Sequence, residues 1–218
     1  MRSSAAATRR TRAAESFGNA AECIGAVEPG MSLFAITRGQ WSMIDAILHV
    51  LDQVGAARLT IWTWTIAEYE VQVLQRLMLD SRLTGATLVI DQSVREKNLS
   101  RATAHDCSVG IVRQWKDIFG PDSVRYVRCH AKIATIESAS GLRVLCRGSM
   151  NLNFNPRFEQ FDLTEGGPDF DLVREIEAEL PILPDTCTKE DAHRATRTTE
   201  AFDASTLEMF SGVKVWAK

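Results

Sequence analysis

The sequence predicts an α/β fold, a mixed β-sheet flanked by helices on both faces. Three observations predict it. Strand-like and helix-like periodicities alternate three times in the first half of the chain. After Gly120-Pro121 the pattern turns to consecutive strands. And 218 residues with 45% hydrophobic and 24% charged content can bury one sizeable core.

The elements follow in order. Residues 31–37 form an apolar run that reads as a strand, and 40–54 carry helical spacing through Trp41, Ile44, Ala46, Ile47, Val50 and Leu51, closed by Gly55. Residues 59–65 alternate as a strand, and 67–79 space Tyr69, Val71, Val73, Leu74 and Leu77 for a helix. A third strand, 86–90, ends at Asp91, and a third helix covers 107–118. Beyond the break, 124–128 and 130–137 read as strands, 138–141 as a turn, and 142–146 and 158–163 as further strands. An acidic helix over 170–180 is ended by Pro181 and Pro184. The expected organisation is a disordered Arg-rich tail over 1–20, one domain over 21–182, and a polar linker over 183–218 with a short amphipathic helix near 204–210.

Several classes are excluded. No apolar stretch approaches the ~20 residues of a spanning helix, and no apolar segment follows Arg2, Arg9, Arg10 and Arg12 to make a secretory signal. Five widely spaced cysteines without a C-x-x-C pair read as buried residues of a reducing, cytoplasmic setting. Cys129 and His130, adjacent on a strand, point to opposite faces, so no metal site is expected. Without a P-loop or G-x-G-x-x-G, no nucleotide cofactor is expected either.

The net charge of -3 conceals an uneven distribution. Residues 113–157 hold eight basic residues against three acidic, and 158–218 hold six against fourteen. Local positive charge suits an anionic phosphate substrate; a solvated basic strand face is the bland alternative.

The basic window contains H-A-K-I-A-T-I-E and then R-G-S-M-N. Two strand positions apart, His130 and Lys132 would project on one face, converging an imidazole and an ammonium on a phosphate-sized target. Gly148, lacking Cβ, would let the backbone approach a bound anion, and Ser149 and Asn151 would add a hydroxyl and an amide. Arg147 and Arg157 flank this segment and could contact substrate phosphates. Trp62 and Trp64 could stack bases, but alternation puts both on one sheet face beneath a helix, which reads as core packing.

These residues resemble the phospholipase D superfamily, whose signature is H-x-K with an acid seven positions after the His, then G-S-x-N. Glu137 stands where the family has Asp, and the gap from Glu137 to Gly148 is longer than usual, an excess placed in the turn at 138–141. Glu159, in N-P-R-F-E, looks like the acid that hydrogen-bonds the imidazole. The resemblance implies a phospholipase D-like fold and a phosphodiesterase that works without metal or cofactor. In it, His130 is the nucleophile forming a phosphohistidine, Glu159 orients its ring, Lys132, Asn151 and Ser149 neutralise phosphate charge, and Glu137 is a structural acid. A single copy of the motif resembles small homodimeric nucleases, so a homodimer is expected. Nucleic acid is the expected substrate and no membrane is involved; a phospholipase or phosphatidyltransferase, and a non-catalytic phosphate- or nucleic-acid-binding module, are the alternatives.

Overall fold

The computed structural model describes residues 10–15, 18–93, 107–153 and 156–196. Within them the chain runs β1 (Arg10–Glu15), α1 (Ala20–Ile24), β2 (Met31–Ile36), α2 (Met43–Val54), β3 (Ala57–Thr63), α3 (Glu68–Leu79) and β4 (Leu83–Asp91). It continues with α4 (Cys107–Phe119), a 3₁₀ turn (Pro121–Ser123), β5 (Val124–Val127), β6 (Ile133–Ser138), β7 (Arg143–Gly148), β8 (Gln160–Glu165), α5 (Pro168–Glu179) and α6 (Lys189–Thr196). One eight-stranded sheet has the order β1-β2-β8-β7-β6-β3-β4-β5. β3, β4 and β5 are parallel, as are β1 and β2, and the ladders from β2 through β8, β7 and β6 to β3 are antiparallel. The expected mixed α/β sheet is what the chain forms.

Its two faces are covered unequally. The main core packs Leu59, Ile61, Leu88, Ile90, Ala134 and Ile136 of the sheet against α2, α3 and α4, whose Ile47, Leu51, Leu74 and Trp115 are buried. α2 starts on a capping box, where the Asp45 carboxylate accepts from the Ser42 backbone N–H at 2.7 Å. The opposite face carries a smaller cluster of Val89, Val127 and Cys129 with Trp62, Ala131 and Leu180. There α5 contributes Glu177, which accepts from Trp62 Nε1 at 2.8 Å and from Thr135 Oγ1 at 3.1 Å and pairs with Arg174.

Three expectations change. Residues 10–15 are not a loose arm but edge strand β1, in register with β2 from Arg10↔Met31 to Glu15↔Ile36. An edge ladder is satisfied by backbone groups of any sequence, so an Ala/Arg-rich segment carries no side-chain signal for it. The stretch read as polar linker contains α6, started by a reciprocal box in which Thr188 N donates to Asp191 Oδ2 (2.8 Å) and Asp191 N to Thr188 Oγ1 (3.1 Å). The Thr188 N–H bond foremost, and a second from the Thr188 hydroxyl to the same Oδ2 at 2.9 Å, hold the Asp191 carboxyl below its usual range. Finally, β6 begins at Ile133, not at His130, because its partner β3 pairs only as far as Trp62↔Ile133. The helix expected near 204–210, residues 1–9 and His105 lie outside the described residues.

Candidate active site

The topology gathers one end of the sheet. β2, β3, β4 and β7 end where β6 and β8 begin, so the loops at 37–42, 64–67, 128–132 and 149–159 are neighbours. Ligand sites of α/β sheets form at such carboxyl ends. Main-chain and hydroxyl bonds fix these loops to one another. Thr37 N donates to Glu159 O at 2.9 Å, Leu152 N to Thr63 Oγ1 at 3.1 Å, and Cys129 N to Asp91 Oδ2 at 2.8 Å. Gly39, at φ 70°, packs so tightly that a Cβ would lie 2.7 Å from the Pro156 carbonyl carbon.

His130 and Lys132 converge as expected, though from an extended connection rather than a strand. The Lys132 ammonium lies 3.0 Å from His130 Nδ1 and 3.3 Å from Nε2, and donates to His130 O at 2.6 Å. Lys132 is 7% exposed, while the imidazole is exposed to solvent. Burial lowers the lysine pKa from its ordinary value, opposed by the nearby Cys129 and Glu159. An ammonium has only donors, so in a hydrogen bond with the ring it is the ring nitrogen that accepts. Cys129, between β5 and His130, has its thiol pushed up to about 11 by burial, which makes it a poor nucleophile at neutral pH.

Ser149, Gly148 and Lys132 line one open depression of about 490 Å³ together with Arg147, Gln160 and Asp162. Gly148 has a different task from the one expected. A Cβ there would stand 2.3 Å from Gln160 O, so the missing side chain admits the β8 backbone, not a ligand. Gly148 N in turn donates to Lys132 O at 3.0 Å, fixing the lysine's main chain. The Ser149 hydroxyl donates to Glu159 Oε2 and accepts from Gln160 N at 3.0 Å. The expected Glu159–imidazole hydrogen bond is therefore replaced by one to Ser149, because Glu159 leaves the start of β8 directly opposite the end of β7. Asn151, half-buried, leaves Oδ1 without a partner among the described residues. Such a vacant amide costs about 1–3 kcal/mol and suits a group that meets its partner only when a ligand is bound.

The flanking residues separate. Arg147 lines the depression but is ion-paired to Asp169 at 2.9 Å, with both side chains 40% exposed. Arg157 is exposed on the loop before β8, and only its carbonyl is engaged, accepting from Thr37 Oγ1 at 3.4 Å. Glu137 sits at the far end of β6, exposed and 3.7 Å from Arg174, away from the imidazole. Sequence reasoning missed Trp64. It lies beyond the last residue of β3, 37% exposed, with its ring centroid 5.6 Å from that of His130. Trp62 is the core residue expected, whereas Trp64 is a wall of the site; the end of the strand at Thr63 breaks the alternation that had placed both on one face. Asp91 and Thr63 were also missed, since they act only through the backbone of other loops.

Among the described residues, no group of three or more His, Cys, Asp or Glu could hold a metal ion, and no helix is long and apolar enough to cross a membrane. What the arrangement offers is an exposed imidazole, a buried ammonium against it, and a hydroxyl and an amide at the rim.

No family model matches the sequence, and no curated protein matches it. Solved structures do align with it. One is a phospholipase D family member, Nuc from Salmonella typhimurium, at 14% identity over 66% of this chain and 89% of that one, TM-score 0.41. NucT from Helicobacter pylori aligns at 10% identity over 67% of this chain and 91% of its own, TM-score 0.41. A yeast tyrosyl-DNA phosphodiesterase variant aligns at 12% identity over 67% of this chain and 37% of its own, TM-score 0.38.

Proposed function

We propose that this chain is a phosphodiesterase of the phospholipase D type, acting on nucleic acid as an endonuclease through a phosphohistidine on His130. The observation that carries the reading is the contact between the buried Lys132 ammonium and the exposed His130 ring, 3.0 Å from Nδ1, beside Ser149. In the first step an imidazole nitrogen attacks phosphorus and the leaving oxygen departs with a proton. In the second, activated water attacks the phosphohistidine and regenerates the ring. Lys132, Asn151 and Ser149 stabilise the charge on the non-bridging oxygens, which removes the need for a metal. One motif supplies one histidine, so a second copy of the chain would supply the acid that protonates the leaving group, in a homodimer.

The experiment is nicking of plasmid and single-stranded DNA, with hydrolysis of bis(p-nitrophenyl) phosphate, in excess EDTA. His130→Ala should cost about 10³-fold, or ~4 kcal/mol of transition-state stabilisation, and Lys132→Ala should lose activity in the same direction. Cleavage that needs a metal and ignores His130 overturns the reading. Phe158, 69% exposed beside Glu159, and Trp64 give the rim some apolar character, which favours a lipid phosphodiester as the second reading; hydrolysis of vesicles but not DNA would select it. No hydrolysis of any phosphodiester would leave a binding module.

A further inference from the structure

Beside the His130 site lies a separate cavity of about 660 Å³, where the end of β4 meets α6. Four of its lining residues carry basic side chains: Arg128 from the loop leading to His130, and Lys189, His193 and Arg194 from α6. Two acids oppose them. The Asp91 carboxylate is already engaged by Cys129 N at 2.8 Å and Ser93 N at 2.9 Å, Glu190 is exposed in the first turn of α6, and Asp191, outside the lining, pairs with Arg194 at 3.7 Å, a contact an incoming phosphate must outcompete. Arg128 Nη1 donates to His193 Nδ1 at 2.8 Å, so this permanent cation has a ring nitrogen, not a carboxylate, as its partner. An anion is the stronger partner for that guanidinium.

A second observation specifies more than an anion. Gln92, 3% exposed and lining the same cavity, donates through Nε2 to Cys187 O at 3.1 Å and leaves its buried Oε1 without a partner. A phosphodiester group has only acceptors to offer Oε1, whereas the sugar and base of a nucleotide bring donors beside it. The position fits as well. Arg128 and His130 are two residues apart, so their Cα atoms are separated by at most ~7 Å.

From this we propose that the cavity is a nucleotide subsite. It binds the phosphate of a neighbouring nucleotide through Arg128 and Arg194 and a sugar or base donor through Gln92, while the scissile phosphodiester lies at His130. This rests on the phosphodiesterase reading and deepens it by giving a nucleic-acid substrate a second point of contact, one nucleotide away from the scissile phosphate.

The test measures binding, not turnover. A fluorescein-labelled single-stranded oligonucleotide of about twelve nucleotides is titrated by anisotropy in EDTA against the full chain carrying His130→Ala, alone and combined with Arg128→Ala and Arg194→Ala. Both arginines are exposed, and circular dichroism checks that the variants fold. Removing them should raise Kd at least tenfold and reduce the salt slope by about 0.7 per lost phosphate contact. A mononucleotide should displace the oligonucleotide at concentrations where inorganic phosphate does not. Unchanged Kd and slope, or equal displacement by inorganic phosphate, overturns the assignment. If the arginine variants lose binding while the wild-type chain fails to hydrolyse bis(p-nitrophenyl) phosphate, the subsite stands and the phosphodiesterase reading falls.

Discussion

Replacing Gly148 by Ala separates two uses of a glycine in a G-S-x-N segment, room for a ligand or room for the protein itself. The added Cβ would stand 2.3 Å from Gln160 O, 3.3 Å from Gln160 C and 3.4 Å from Phe161 Cα. All three are backbone atoms of β8, and an ordinary carbon–oxygen contact is ~3.3–3.6 Å. The ends of β7 and β8 must therefore part by about 1 Å. That takes the Ser149 N–H to Gln160 O bond, now 3.1 Å, and the Gln160 N–H to Ser149 Oγ bond, now 3.0 Å, out of range. Two lost hydrogen bonds at ~0.5–1.5 kcal/mol each and ~1–3 kcal/mol of overpacking give a loss of about 2–6 kcal/mol. Urea denaturation should show a lower midpoint with an unchanged slope, and melting should fall by on the order of 10 °C. A loss below ~0.5 kcal/mol, with phosphate binding alone impaired, would refute the reasoning and restore the glycine as an approach path for the anion.

Two further outcomes follow from buried groups. Glu177→Ala should cost about 2–4 kcal/mol in urea denaturation, since it strands Trp62 Nε1, Thr135 Oγ1 and the Arg174 guanidinium on the lightly covered face of the sheet. Burial raises the Cys129 thiol to about 11 and Cys146 to about 12 from an ordinary 9.0. Between pH 9 and those values the unfolded chain holds fewer protons than the folded one. Stability should then fall as pH rises, on the order of 1 kcal/mol per pH unit per thiol, with Cys146→Val removing one share in alkaline urea melts.

How much of this was legible in the sequence depends on where the information resides. Helices and strands with one buried face were readable: α2 announces itself through Ile44, Ile47 and Leu51, and β3 through Leu59 and Ile61, because burial imposes periods of 3.6 and 2. β1 was not, since a backbone ladder with β2 leaves no mark on the composition of an Ala/Arg-rich segment. The start of β6 was placed three residues early, because pairing with β3 stops at Trp62↔Ile133 and alternation of side chains does not report where a ladder ends. The convergence of His130 and Lys132 survived that error, as it depends only on the side chains meeting. The role of Gly148 did not, because it is set by Gln160, twelve residues away in sequence and adjacent only across the β7–β8 ladder.

The Lys132–His130 contact has a consequence for the proposed chemistry. A nucleophilic imidazole needs an available lone pair, and in this structure the ammonium occupies the space beside both ring nitrogens, at 3.0 and 3.3 Å. Besides the His130 carbonyl at 2.6 Å the ammonium has no anionic hydrogen-bond partner among the described residues: burial lowers its pKa, and the Glu159 carboxylate, which only partly offsets the effect, accepts from the Ser149 hydroxyl. A phosphodiester brought against the His130 ring and the Lys132 ammonium would change the balance. Its non-bridging oxygens are anionic acceptors, roughly twice as strong for a charged donor as a neutral ring nitrogen. They would draw the ammonium toward the phosphate and leave the imidazole lone pair facing phosphorus. In the proposed mechanism the resting contact screens the ring, and the substrate's own charge would draw the ammonium away and free His130 to attack.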